Sequence, residues 1–386
     1  MRYLNSKTQP SNLRLPQIHE CLDLLAQRRP TCFTTLDLRH GFWQVGIVPR
    51  DQHKTAFWVE GLGQMAWTRG VMGLSYLPAT FQRIMERILR NLIAENKLLV
   101  YLDDILIYSR SHEEMLDTLK AALQLLKEAG LLINAAKCEF GVETLTYLGF
   151  EISGKGYRPD PAKTFAILNC QVPKTLKGVR SFIGMIQFYR NHFPEFSELI
   201  KPLSRLTSAR SGWSGGVLKG EALATFEKCK ALLAKRPVLA YPDMNLKMHL
   251  FVDGSLGEVD NEDSGGLSAC LIQFEGDDVS KPPRCLGFAS RTLLKHERNY
   301  SAFLVENAAA VFGIEHFSKY LEGRPFVLYT DHKPMVAGAG LSNTHKRTLE
   351  RLREMLAQYD FEMQYFPGKD HPSDFLSRYG FRSIRK

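Results

Sequence analysis

Residues 98–109 read LLVYLDDILIYS. Two short apolar runs of strand-forming residues flank a pair of aspartates, so the stretch predicts a hairpin of two buried strands with Asp103 and Asp104 at or beside its turn. Asp is a favoured turn residue, and turn chemistry alone is one explanation of the pair. Burial supplies the other. Two unpaired acids between LLVYL and ILIYS are costly to keep out of water unless a cation sits with them.

Working outward, residues 32–37, CFTTLD, form a further apolar strand that ends on Asp37. Acids at strand ends, gathered by one sheet, can hold two Mg²⁺ ions, because hard cations take carboxylate oxygens and Mg²⁺ keeps room for substrate phosphates. Phe81, Ile84, Met85, Ile88, Leu89 and Leu92 recur at helical spacing. After the hairpin, Ser111 and Glu114 predict a capping box, Met115, Leu116, Leu119, Leu123 and Leu126 an apolar face, and Gly130 a helix end.

Beyond Gly156 the pattern changes. Residues 157–236 read as short helices, with Val179, Phe182, Ile183 and Ile186 on one stripe and prolines 159, 161, 173, 194 and 202 expected to separate them. The stretch SARSGWSGGVLKG reads as a loop. From residue 237 onward, KMHLFVD, LSACLIQF, PFVLYTD and FEMQYF read as strands, alternating with helices around 302–320 and 344–358. That alternation predicts helices packed on a sheet. Asp253 ends the first of these strands and Asp331 the third, Glu306 lies on the first helix, and Asp374 opens SDFLSR. Singly, each would pass for a solvated surface acid.

Composition sets the outer bounds. The 386 residues suffice for two or three domains, and 44% hydrophobic with 24% charged residues argues against disorder. Seven scattered cysteines without a CxxC pair read as reduced thiols. There is no run of the roughly 20 apolar residues a membrane helix needs, and the polar start carries no signal peptide, so a soluble protein without a membrane partner is expected. Fifty Lys and Arg against 41 Asp and Glu give +9, compatible with a polyanionic partner. The segment THKRTLERLRE at 344–354 forms a basic helical surface that suits phosphates, or a solvated face in which Glu350 and Glu354 pair locally.

The motifs together carry a resemblance. YLDDILIYS resembles the catalytic box of reverse transcriptases, and TTLDLRHGFWQVGI their first catalytic segment. KTAF at 54–57, GL and PATFQRIM within 73–85, and KCEFG and YLGFEIS within 137–153 follow in the order of gypsy-type LTR retrotransposons. RPDPAKTFAI, VRSFIGMIQFYRNHFPEFS and PLSRL continue it, and TDHKP, LGFASRTL and FPGKDHPSDFLSR resemble the retrotransposon RNase H domain.

The resemblance implies an α/β and α+β multidomain chain. It would comprise truncated fingers and a right-hand polymerase palm over 1–156, a helical thumb or connection over 157–236, and an RNase H-like α/β domain over 237–386. It implies an RNA-directed DNA polymerase with RNase H activity. Asp37, Asp103 and Asp104 would bind one set of Mg²⁺ (or Mn²⁺) ions, and Asp253, Glu306, Asp331 and Asp374 the other. Phe42 would lie beneath the sugar and favour deoxynucleotides, or serve as a core aromatic. Met72 and Gly73 would line the nucleotide pocket, and Tyr147, Leu148 and Gly149 would grip the primer end. His371 stands where relatives often carry Asn, and His332 and Lys333 read as structural or phosphate-facing. Implied partners are an RNA template, a DNA primer, RNA–DNA hybrid and dNTPs, in cytoplasmic retroelement particles or the nucleus.

Departures from the family pattern are a short N-terminus, which predicts incomplete fingers with exposed apolar edges, an altered loop RGVMGLSYLPATFQ, and the acidic insert EVDNEDSGG. No protease, integrase or zinc-knuckle sequence is present, which suits a fragment of a larger polyprotein. Two alternatives stay open: a nucleic-acid-binding remnant that no longer polymerises, and a chain that keeps only the nuclease. Primer extension and hybrid cleavage discriminate them.

Overall fold

The computed structural model describes residues 1–9, 15–235, 237–256, 265–278, 281–337 and 346–367. The chain divides into two compact units, Met1–Lys155 and Gly156–Lys386.

In the first unit, α1 (Arg2–Lys7) and α2 (Ile18–Arg28) precede β1 (Cys32–Asp37) and the small hairpin of β2 (Phe57–Val59) and β3 (Gly63–Met65). Helices α3 (Leu77–Ile88) and α4 (Arg90–Ala94) lead into the expected hairpin, β4 (Leu98–Tyr101) and β5 (Asp104–Ser109). Helix α5 (His112–Glu128), β6 (Glu139–Val142), β7 (Thr144–Tyr147) and β8 (Phe150–Ser153) complete it. The central sheet runs β4-β5-β1-β6. Its core joins Leu36, Leu98 and Ile107 from the strands to Phe81, Met85 and Leu89 from the helical stripe, and to Met115 and Leu126 of α5. The stripe therefore does what its period implies, burying one face of α3 on the sheet.

The ends of α5 follow its local chemistry, with one change. Ser111 Oγ accepts from the Glu114 amide at 3.2 Å, and Gly130 takes a left-handed φ of 69° beyond the C-terminus. The reciprocal half of the box is missing, because the Glu114 carboxylate is drawn to the Arg28 guanidinium and the Arg110 amide. An ion pair with a half-buried arginine outcompetes a single backbone amide.

In the second unit, β9 (Gly156–Pro159) is followed by helices α6 (Pro161–Leu168), α7 (Leu176–Gln187), α8 (Phe196–Thr207) and α9 (Gly220–Ala234). Asp160 and Thr175 cap α6 and α7 by accepting from Ala162 and Gly178 amides. Pro202 departs from expectation, lying inside α8 instead of ending it. Its ring removes one helical hydrogen bond. Packing carries the helix through, since Phe196, Ile200 and Leu203 are buried on both sides of the proline and Lys201 Nζ holds Glu198 at 2.9 Å.

The C-terminal sheet is built from β10 (Met248–Leu256), β11 (Gly265–Gln273), β12 (Arg284–Thr292), β13 (Phe326–Thr330) and β14 (Phe361–Tyr365). Its order is β12-β11-β10-β13-β14, antiparallel among the first three and parallel from β10 to β14. Strand β12 covers LGFASRT, which the pattern had marked only as a motif. Helix α10 (Ala302–His316) lies against this sheet, and α11 (Lys346–Leu356) packs on α10 through Leu349, Leu352 and Leu356. A buried helix touched on several sides needs apolar residues all round, as AFLVENAAAVFGI supplies. Ser197 of α8 donates its amide to Ser290 Oγ of β12 at 2.9 Å, so the segments on either side of position 236 lie in one unit.

Candidate active sites: two carboxylate clusters

The hairpin turn consists of Leu102 and Asp103, since Tyr101 pairs with Asp104 across it. Leu102 adopts φ 57°, a left-handed conformation rarely taken by a residue with a Cβ. On the other side of β5, the antiparallel register with β1 places Asp37 opposite Asp104. Three acids thus stand at one end of the sheet, without gathering their ligand oxygens within 4.8 Å as the acids of the other unit do. The Asp37 backbone is tied down by the loop that comes after α5: Asn134 donates its amide to Asp37 O at 2.8 Å, and the Asp37 amide points at Cys138 Sγ at 3.4 Å.

Close packing at Gly41 completes this end. A Cβ there would come within 3.1 Å of Asp103 Oδ2, so any larger residue would make the acid give way, and glycine lets the 41–44 turn lie against it. Desolvation, then the charges of Asp103 and Asp37, push the Asp104 carboxyl up from its ordinary value, and Lys137 opposes them. Lys137 Nζ lies 3.8 Å from Asp37 Oδ2. Mutual repulsion relieved by a cation is the electrostatic condition that a metal would meet.

A second cluster lies in the other unit. Asp253 on β10, Glu306 on α10 and Asp331 just after β13 bring ligand oxygens within 4.8 Å of one another. The parallel register pairs Phe251 with Tyr329, which sets Asp253 and Asp331 level two residues further along. Glu306 reaches them because α10 lies almost on the backbone of β10: a Cβ on Gly254 would meet the Val305 carbonyl oxygen at 2.9 Å. Glu306 is only 5% exposed, and it accepts from the Gly254 amide at 3.4 Å and Thr330 Oγ1 at 3.2 Å. Burial, followed by Asp253 and Asp331, pushes its carboxyl up to about 8, and Asp253 is raised by burial and Asp331. Three carboxylates this close suit a hard divalent cation. Asp253 does not end its strand as expected, because Gly254 to Leu256 continue pairing with Leu267 to Gly265 of β11.

Residues 2–152 match the reverse transcriptase (RNA-dependent DNA polymerase) family, and residues 243–359 the RNase H-like domain found in reverse transcriptase. The chain is 35% identical over 378 residues to the retrovirus-related Pol polyprotein from transposon 297 of Drosophila melanogaster, covering 98% of this chain and 34% of that one. It is 32% identical over 379 residues to the transposon Tf2-3 polyprotein of Schizosaccharomyces pombe, covering 97% and 27% respectively. The chain belongs to the reverse transcriptases of retrotransposon Pol polyproteins. It spans about a third of the length of the first of these relatives and about a quarter of the second. Foamy viral protease–reverse transcriptase structures share the fold: one in complex with double-stranded DNA has TM-score 0.78 at 22% identity, covering 95% of this chain and 62% of that one. Another, also with double-stranded DNA, has TM-score 0.75 at 23% identity, covering 95% and 74%. Domains of these two families use divalent metal ions.

The other residues that the sequence singles out are spread over both units. Phe42 is half-buried in the turn after Gly41, edge-on to Phe81 at 5.3 Å. Met72 is 71% exposed and Gly73 has φ 95°. Both sit in a loop engaged by α1, where Asn5 Nδ2 donates to Gly73 O at 2.7 Å; nothing in the polar N-terminal sequence had predicted that helix or its docking. Leu148 and Gly149 form the turn between β7 and β8, with φ 49° and 87°, while the Tyr147 ring is buried. His332 donates its amide to Thr330 Oγ1 at 3.1 Å and lies 5.5 Å from the Phe303 ring. Asp374, His371 and most of the acidic insert lie outside the described residues. In the β2–β3 hairpin Trp58 is 77% and Leu62 72% exposed. All seven cysteines are free, and no described helix is long and apolar enough to cross a membrane.

Sequence reasoning missed Gln82. The amide is buried against the back of the hairpin, and nothing in PATFQRIM distinguishes it from an ordinary helical glutamine.

Proposed function

We propose that this chain is an RNA-directed DNA polymerase with RNase H activity, acting through Asp37, Asp103 and Asp104 in one unit and Asp253, Glu306, Asp331 and Asp374 in the other. The supporting observation is that Asp253, Glu306 and Asp331 bring ligand oxygens within 4.8 Å of one another in one unit, while in the other the β1–β5 register sets Asp37 opposite Asp104, next to Asp103. Mg²⁺, or Mn²⁺ in its place, would be held by these carboxylates and would supply charge neutralisation and activation of the attacking oxygen.

Asp37, Asp103 and Asp104 would hold the cations that draw the end of a DNA primer and the triphosphate of an incoming dNTP together. Phe42, braced by Phe81, lies beneath the sugar and excludes a 2′-hydroxyl. Met72 and Gly73 line the nucleotide pocket, and the 147–149 turn steadies the primer. In the second unit, the acidic trio positions a water against the RNA strand of a hybrid, whose shape and backbone are what a protein can read in A-like duplexes. The setting is a retroelement particle in the cytoplasm or the nucleus. The retained clusters disfavour a binding-only remnant.

Purified chain with Mg²⁺ should extend a DNA primer on an RNA template and cleave labelled RNA in a hybrid. Loss of extension in Asp103→Asn and of cleavage in Asp253→Asn is expected. A chain that does neither, or whose activities ignore both substitutions, would sink the proposal.

A further inference from the structure

Strand β4 lies at the edge of its sheet, so one row of its backbone groups faces away from any strand. Two of those groups are taken by a side chain. Gln82 Nε2 donates to Val100 O at 2.9 Å, and the Leu102 amide donates to Gln82 Oε1 at 2.6 Å. A carbonyl and an amide on the residues flanking Tyr101 are the pair that the N–H and C=O of one residue of a neighbouring parallel strand would engage. The Gln82 carboxamide therefore substitutes for the donor and acceptor of one residue of a strand that is not there.

Its orientation is set as well. Gln82 Nε2 also donates to Glu86 Oε1 at 2.8 Å, one helical turn along α3. Turning the amide over would aim donors at the Leu102 N–H and an oxygen at both Val100 O and Glu86, so only one orientation satisfies the group. The side chain is 3% exposed, where unmet hydrogen bonds are costly.

Leu102, the residue so held, has a left-handed φ of 57° and directly precedes Asp103 and Asp104. Pairing with β5 restrains the turn from one side, and Gln82 from the other. From this geometry we infer that Gln82 is a positioning residue for the polymerase site, clamping the Leu102 turn so that Asp103 and Asp104 meet Asp37 in a cation-binding arrangement. It touches neither substrate nor cation. The inference rests on the proposed polymerase function.

The test uses the full chain with Gln82→Met, which keeps side-chain length and helix preference but makes neither bond. In cation-free protein, amide hydrogen exchange at Leu102 should accelerate at least tenfold, while Ile105 and Ile107 in β5 keep wild-type rates. With Mg²⁺ added, the concentration giving half-maximal primer extension should rise severalfold, and hybrid cleavage by the other unit should keep its wild-type Mg²⁺ dependence. Gln82→Glu retains an acceptor for the Leu102 amide and should fall between wild type and Gln82→Met in both readouts; it also carries the test should the methionine variant not fold. Wild-type exchange at Leu102 in the folded variants, or an unchanged Mg²⁺ requirement for extension, would overturn the inference. Failure of the polymerase function looks different: wild-type chain would not extend primers, or Asp103→Asn would not matter, whatever Leu102 exchange showed.

Discussion

The two carboxylate clusters solve one problem, bringing like charges together, with different architecture. In the first unit the acids sit at the open end of a sheet, two of them beside a hairpin turn and the third across a strand pair. Lys137 stands close, and Asp104, though an exposed residue at its strand start, has its carboxyl raised first by desolvation and then by Asp103 and Asp37. In the second unit the acids come from two strands and a helix, and Glu306 is buried under that helix. Burial raises the cost of charge far more than proximity does at a water-facing edge. The second cluster is accordingly the one in which a carboxyl, that of Glu306, is pushed up to about 8. The first cluster rests on backbone placement: a left-handed Leu102, a glycine against Asp103, and the Gln82 carboxamide bonded behind the turn.

That contrast can be broken most sharply by crossing the two activities. Asp103→Asn should cut primer extension by at least ~10²-fold and leave hybrid cleavage intact, with Asp253→Asn doing the reverse, on the scale seen when one transition-state charge stabiliser is removed. Paired steady-state assays on the same preparations read this. Coupled losses would mean that the two clusters do not work independently.

A smaller effect is expected where the RNase H site relies on close approach. In Gly254→Ala the new Cβ must push against the Val305 carbonyl, a backbone atom that cannot swing aside. Overpacking of this kind costs about 1–3 kcal/mol. Displacing α10 also carries Glu306 away, so cleavage should fall more than tenfold while extension stays near wild type; calorimetry and both assays measure the two parts.

Next comes pH. Glu306 binds its proton up to about 8 in the fold against an ordinary 4.5, so the folded chain holds more protons between those values. Stability from this group is complete below 4.5 and is lost as pH rises through about 8. In EDTA, the melting temperature of the second unit should fall across that window, and Mg²⁺ should restore it, with proton release on binding. A flat profile in EDTA would mean that desolvation does not set the protonation of Glu306.

The smallest shift belongs to Thr330→Val. It removes the hydroxyl that Glu306 accepts from at 3.2 Å, so the Glu306 carboxyl should rise further and Mg²⁺ binding should need a slightly higher pH. Calorimetric Mg²⁺ titrations across pH would detect this, with a stability cost of about 1 kcal/mol.

Much of this organisation was open to reading in the chain. The hairpin of LLVYLDDILIYS, the end of CFTTLD at Asp37 and the position of Glu306 on a helix came from apolar periodicity and turn chemistry, which act over a few residues. The misreadings share one cause. Pro202 stays helical, Glu114 leaves its capping box for Arg28, and β10 runs past Asp253, each because a partner distant in sequence outweighs a local preference.

By itself, then, the sequence determined which residues carry charge, which strands and helices present them, and the kinship that their order implies. Only the tertiary structure decided that Asp253 and Asp331 stand level, that Gly254 lets Glu306 reach them, and that a glutamine on α3 completes the edge of β4. Local propensity acts through neighbouring backbone dihedrals. Desolvation, register and close approach exist only once segments far apart in the chain are packed together.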